Sequence, residues 1–363
     1  MQGQGPFNGH EVGRPGADRA RVCLRQPHGI TGARGFAGAV DSRGGRQLAQ
    51  PWSDLQPQPI PTRKVGFSCR LPISLGAGQG PQGEFIDFPS GRVTSDLKSP
   101  KLDSLVRPGR ELHGYYVTLY FDRAYKRWLP VSRDAVSPDG AHYAYTDRPV
   151  LAQPDPLARA TVHVVAVKTG VDVAFDGGDW SNPYAVLDYS AEGIYLITDT
   201  GTYVGLWLMD PTTGEVTRIA DLLNVQGRAD RTNFWAGWTN PSDPNPVTAS
   251  APNQLDKVNL VDGTRAPWFY RPGTSVHFVG QDVAGHPIIL VGYLNSAEYV
   301  LTPAPGITRS IFVFGDKRPA LSNAIADRHG IWFGSIDGIY LYTEARGLVK
   351  VSNQPGYPSN GCI

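Results

Sequence analysis

Three observations in this 363-residue chain predict an all-β fold: a six-bladed β-propeller of four-stranded antiparallel blades, preceded by a disordered leader. Gly (42) and Pro (31) together make one residue in five, an excess that suits turns rather than long helices. After Lys64, short runs of Val, Ile, Tyr, Phe and Trp recur between Gly, Pro and Asp, which is the pattern of strands and hairpins. The hairpin signals are periodic. Gly170, Gly214, Gly263, Gly306 and Gly347 each close a polar turn, with gaps of 44, 49, 43 and 41. A repeat of this length with about four strands per unit is the mark of a propeller. A single meander cannot bury both faces, whereas blades stacked around an axis cover one another.

The first 63 residues have a different character. They hold 11 Gly, 7 Pro and 8 Arg, no Lys and little apolar periodicity. They read as a disordered leader, with the tract from Gln50 to Pro61 as an extended linker. No basic region followed by an apolar run opens the chain, so no signal peptide is read there. Residues 64–363 form the propeller. Blade one is expected over Phe67–Ser132, blade two over Arg133–Gly178 and blade three over Asp179–Leu223. Blade four is expected over Arg231–Pro272, blade five over Gly273–Lys317 and blade six over Arg318–Asn353. A turn without Gly, FDRAYK near Ala124, is expected to be the outer hairpin of blade one. In blade four the stretch Asn240–Asn253 is expected to replace the second strand.

A ring must tie its last blade to its first. The ends of a closed ring lie close together, so Cys69 at the start of blade one and Cys362 near the end of the chain are the disulfide candidates. That bond would imply an oxidising, extracytoplasmic compartment, periplasmic or secreted.

Two segments carry a resemblance. Ala135–Asp147, AVSPDGAHYAYTD, resembles the TolB-type, WD-repeat-like bacterial propeller repeat, in which a Ser-Pro-Asp-Gly turn joins two strands. Gly330–Tyr342, GIWFGSIDGIYLY, looks like the propeller repeat of two-component sensor proteins. The folded part is also similar to uncharacterised bacterial propeller proteins. These resemblances imply a propeller and name no chemistry. Nothing in residues 1–63 resembles the α/β domain that precedes the TolB propeller. No G-x-S-x-G elbow is present, which argues against the peptidases that join a propeller to a hydrolase domain.

The charge is +1, so composition gives no support to a nucleic-acid or anionic-membrane partner. No run of 18 apolar residues predicts a membrane span. Propellers bind at the axial mouth, where loops gather. The candidate ligand-binding residues there are Trp180, Tyr184, Arg228, Arg231, Asn233, Trp235 and Asp337. An aromatic ring near arginines and acids suits a sugar face or a peptide carboxylate, although Trp235 could equally pack between blades and Asp337 could serve its turn. No two histidines have ligand spacing, and no catalytic residue, metal ligand or cofactor is assigned. The reading is a monomeric, non-enzymatic binding or scaffold propeller taking a protein, peptide or glycan. The alternative is a metal-dependent hydrolase or lyase working in the central channel.

Overall fold

The computed structural model describes residues 59–75, 82–96, 119–147, 159–179, 184–198, 205–222, 224–243, 251–293, 296–315 and 321–363. The expected leader lies outside these residues up to residue 58. Six antiparallel blades form a propeller ring.

Blade one contains β1 (Cys69–Leu75), β2 (Gln82–Phe88) and β3 (Arg92–Asp96), and β4 (Tyr120–Asp122) and β5 (Arg127–Leu129) form a separate two-stranded hairpin. Blade two has β6 (His142–Asp147), β7 (Arg159–Ala166) and β8 (Asp172–Asp179). Val136 bridges Tyr143 and supplies its inner edge. Blade three is β9 (Tyr184–Tyr189), β10 (Ile194–Thr198), β11 (Leu206–Met209) and β12 (Val216–Ala220). Blade four is β13 (Val225–Arg228), β14 (Asn233–Trp238), β15 (Gln254–Asn259) and β16 (Arg265–Tyr270). Blade five is β17 (Ser275–Gln281), β18 (Pro287–Gly292), β19 (Ala297–Ala304) and β20 (Ile307–Phe314). Blade six is β21 (Ser322–Asp327), β22 (Gly330–Ser335), β23 (Gly338–Thr343) and β24 (Gly347–Ser352). Finally β25 (Tyr357–Pro358) returns to pair with β1, Ile73 opposite Pro358 and Ser74 opposite Tyr357. Blade one therefore mixes strands from both ends of the folded part.

The periodic glycines mark the outer hairpins. Gly170, Gly214, Gly263, Gly306 and Gly347 all have φ between 66° and 75°, a conformation that costs an L side chain about 1–2 kcal/mol. In FDRAYK the same left-handed conformation falls to Lys126, at φ 51°.

Three expectations are corrected. FDRAYK is not the outer hairpin of blade one; the turn Pro89–Gly91 already joins β2 to β3, and β4–β5 packs beside that blade instead. Phe85, Phe121 and Trp128 form the contact, with the Trp128 indole N–H donating to Asp96. Blade four keeps its second strand and begins at Val225 rather than Arg231. The Pro- and Asn-rich stretch is the connection between β14 and β15. Its first strand, VQGR, is too short and polar to stand out. The end of the 1–63 segment also takes part in the sheet region: Thr62 bridges Lys350 in parallel fashion along β24, and the Pro61 carbonyl accepts the Lys350 N–H. They cover part of what would be an open strand edge.

Between blades one and two the β4–β5 hairpin intervenes, packing on Phe85 of blade one and on Tyr143 and Val165 of blade two, and the other blade interfaces each hold an apolar core. Ala144, Val162, Leu196 and Met209 fill the one between blades two and three. Tyr195, Phe234 and Val258 fill the next, and Trp235, Leu255 and Ile289 the one after. Trp332, Leu71, Ile73 and Ile339 close the seam between blades six and one. Because both faces of a blade are covered, its central strands read as unbroken apolar runs. Ile331–Gly334 are all buried. Cys69 and Cys362 are bonded across this seam, with Cα atoms 5.4 Å apart. Reciprocal backbone hydrogen bonds between Arg70 and Ile363 flank the disulfide.

Candidate functional site

The first strands of the blades wall a central channel. A cavity of about 810 Å³ lies there, bordered by Val136, Asp188, Arg228, Gln281, Ala326 and Pro358, one residue from each blade. In an antiparallel blade the turns alternate between the two ends. The first-to-second-strand turns therefore share one face of the ring, and the second-to-third turns share the other.

The polar groups of the channel concentrate toward the first of these faces. Asp188 lies near the end of β9, and Arg228 ends β13 on the next blade. Arg228 Nη1 donates to Asp188 Oδ2 at 2.8 Å, and Nη2 donates to Glu192 Oε2 at 3.0 Å. Its Nε donates to the Asp230 carbonyl, and Nη2 also reaches the Arg231 carbonyl. The guanidinium thus fixes the turn of its own hairpin while bridging two carboxylates of the neighbouring blade. Arg231 completes the chain by donating to Glu192 Oε1 at 2.9 Å. Asp230 ties the turn from below through Lys257 Nζ at 2.7 Å and the Asn233 amide at 2.7 Å.

These contacts set the acidities. Burial pushes Asp188 upward, outweighing its bond to Arg228. The Ser190 hydroxyl, then Arg228, hold Glu192 down at about 2 against the burial that opposes them. Burial alone would raise Asp230, but Lys257, Asn233 and the Thr232 N–H outweigh it and hold this group at about 2.

Asp134 is the outlier. It sits in a short 3-10 turn, Arg133–Ala135, just before the inner edge of blade two. Its side chain is exposed where it borders the cavity. No hydrogen-bond donor meets its carboxylate among the described residues. Its pKa is raised to about 6, first by lost hydration within the channel and then by the negative charge of Asp188, with Arg133 opposing.

The candidates chosen from sequence fall in different places. Arg228, Arg231 and Asn233 come together, as described. Trp235 is 1% exposed and packs against Trp268 and Phe278 between blades four and five, away from the channel wall. Tyr184 starts β9, at the end of that strand away from Asp188, and its ring meets Trp207. Asp337 lies in the second-to-third-strand turn of blade six, on the opposite face, where it accepts the Tyr340 hydroxyl and faces Lys350. Trp180 lies outside the described residues. Asp134, Glu192, Gln226 and Gln281 were missed. The two glutamines stitch blades four and five: Gln226 Oε1 accepts the Phe278 N–H, and Gln281 Nε2 donates to the Arg228 carbonyl. Their only sequence signal is a polar residue in an otherwise short inner strand.

A second polar chain crosses blade two. Thr161 Oγ1 is 3.0 Å from His163 Nε2, and His163 Nδ1 is 3.0 Å from Asp172 Oδ1. The order is that of a nucleophile, a base and an orienting acid. Tyr145 stacks on the imidazole at 4.5 Å and also donates to Asp172, so the cluster doubles as a cross-strand brace. None of the three residues borders the channel cavity. Among the described residues, no group of three or more His, Cys, Asp or Glu side chains is placed to share a metal ion.

No protein-family model matches the chain, and no curated protein matches it. Solved structures do show likeness. TolB from Acinetobacter baumannii aligns with a TM-score of 0.42 and 12% identity, over 80% of this chain and 65% of that one. An oligogalacturonate lyase in complex with manganese aligns at 0.40 and 12%, over 82% and 85%. The Pyrococcus horikoshii acylaminoacyl peptidase aligns at 0.39 and 13%, over 57% of this chain and only 37% of the peptidase.

Proposed function

We propose that this chain is a non-enzymatic binding propeller. Its ligand, a protein, peptide or glycan, docks at the axial face bearing the first-to-second-strand turns and reaches into the channel. The observation that carries this reading is the channel itself. Its volume falls within the range of small-ligand sites, and its wall places Asp134, Asp188 and Arg228 from three successive blades around one space. Such convergence is not needed to hold the ring together, since the blade interfaces have their own apolar cores. The Cys69–Cys362 disulfide supports an extracytoplasmic setting.

The test is a panel of peptides and oligosaccharides titrated against the full chain and against Ser132→Trp, which places a bulky ring at an exposed position on the cavity wall. Binding by the native chain, lost in the folded variant, is the expected result. Ligands bound equally by both would refute the channel as the site.

One observation favours a second reading. Two interacting carboxylates of unlike environment, Asp134 and Asp188, are the raw material of acid–base catalysis. Turnover of any panel member, abolished by Asp134→Asn, would establish a hydrolase or lyase in place of a binding protein.

A further inference from the structure

The Thr161–His163–Asp172 chain of blade two takes no part in the channel. Thr161 and His163 are alternate residues of β7, so their side chains stand on one face of the blade, and Asp172 begins β8 beside them. Val162 and Val164, on the other face, fill the core with blade three.

The hydrogen bonds fix where each proton sits. An ionised Asp172 only accepts, so His163 Nδ1, at 3.0 Å and 3.1 Å from its two oxygens, carries the N–H. In the neutral ring Nε2 is then the acceptor, and the Thr161 hydroxyl at 3.0 Å donates to it. Tyr145 removes the remaining freedom. Its ring lies 4.5 Å from the imidazole and 7° from parallel, and its hydroxyl donates to Asp172 Oδ2 at 3.2 Å. The imidazole is thus held in the tautomer and orientation that draw a proton from a hydroxyl.

Two features beside the chain suit a reaction there. The β7–β8 ladder slips next to Thr161: Thr161 faces Asp176 and Arg159 faces Asp179, so Ala160 is opposed by both Gly177 and Gly178. A bulge of this kind leaves one residue outside the ladder, and with glycine at both positions no Cβ screens the peptide N–H groups. Directly across from His163 on β8 is Ala174, small and exposed. The chain is therefore open to a reagent, with 16% of the His163 side chain and 33% of that of Asp172 reaching solvent.

We propose that Thr161 is a covalent acylation site, its hydroxyl activated by His163 and taking the acyl group of an activated ester. The bond from Thr161 Oγ1 to the carbonyl carbon forms, and the bond from that carbon to the leaving oxygen breaks. The hydroxyl proton passes to His163 Nε2 and from there to the departing oxygen. Asp172 stabilises the imidazolium between the two transfers, and the glycine N–H groups of the bulge are the donors for the carbonyl oxygen as it gains charge. One acyl group is taken up per chain, independently of the channel.

The probe is p-nitrophenyl acetate added to the full chain, with p-nitrophenolate release followed by absorbance and acetylated peptides mapped by mass spectrometry. Expected are an acetyl group on Thr161 and a burst of one p-nitrophenolate per chain above the slow reaction of lysines. The position of the acetyl group on the native chain depends on no variant. Thr161→Val should abolish the burst, and His163→Gln should slow it about a hundredfold, the lower end of general-base catalysis. Thr161→Ser should restore it, a rescue that a purely bracing role would not give. Acetyl groups on lysines alone overturn the inference, as does an acetyl group that stays on His163. A Thr161 rate unchanged in His163→Gln overturns it too, as does a Thr161→Ser chain that folds yet takes up no acetyl group.

Discussion

Breaking the Cys69–Cys362 bond should lower stability by several kcal/mol, almost wholly by freeing the unfolded chain. The bond joins residues 293 apart. On the chain-entropy relation a loop of this length restricts the unfolded state by about 5–6 kcal/mol. The folded state loses little, because the seam keeps its other ties. Ile73 and Ser74 still pair with β25, Arg70 and Ile363 still exchange hydrogen bonds, and Asp327 still accepts the Cys362 N–H at 2.7 Å. For a domain of this size the loss corresponds to a fall in Tm of roughly 10 °C. Scanning calorimetry of the reduced native chain measures the effect without a cavity. The double variant C69A/C362A, in a Cys23→Ser background, measures it without exchangeable thiols. Both cysteines are buried beside Leu71 and Trp332, so the double variant should fall a further ~1–2 kcal/mol for the lost sulfur packing. A Tm drop under about 2 °C in the reduced chain would refute the reasoning and assign the seam to β-pairing alone.

Other outcomes follow from individual sites. Asp134 is raised in the folded state, so its ionisation opposes folding. The favourable contribution is complete below pH 3.8, its ordinary value, and is lost as pH rises toward 6. Asp134→Asn should therefore stabilise the chain by about 1 kcal/mol at pH 7.5, a figure discounted for channel water, with the gain gone at pH 3.5 in urea titrations. Glu192 has the opposite sign. Its contribution is present above pH 4.5 and disappears as pH falls toward 2, so acid unfolding of Glu192→Gln should converge with that of the native chain at the acid end. Lys126→Gly should raise the urea-derived stability by about 1 kcal/mol, since it relieves a left-handed residue at φ 51°. Gly214→Ala should cost clearly more than Gly347→Ala, although their φ values are 75° and 66°. A Cβ at 214 would overlap the Phe175 ring, whereas at 347 it meets open space. Equal losses would show that backbone strain alone matters.

The parts legible in the sequence are those set by local chemistry. A polar turn that needs a left-handed residue shows itself through Gly170 or Gly263 wherever it occurs, and Ser137–Gly140 fixes its own turn through Ser137 and Asp139. Repetition of that signal counts the blades. Two things lack a local signal. β25 is two residues, Tyr357 and Pro358, and only its distant partner β1 makes it a strand. The channel cluster is likewise spread over three blades, with Asp188 and Arg228 forty residues apart, so spacing cannot register it. Trp235 drew notice as a large ring between arginines and acids. The alternation of β14 instead turns it into the blade interface, where rings of that size are needed for packing.

The return of β25 to blade one also imposes an order on synthesis. Its residues leave the ribosome about 280 positions after their partners in β1, a delay of roughly fifteen seconds to a minute at ordinary elongation rates. Through that interval the inner edge of β1 is unpaired, and Leu71 and Ile73 lack the Trp332 surface that later covers them. Cys69 is a free thiol for the same period. Blade one is thus the first sheet to be made and the last to be finished, and it needs protection from edge-to-edge pairing with other chains until the ring closes.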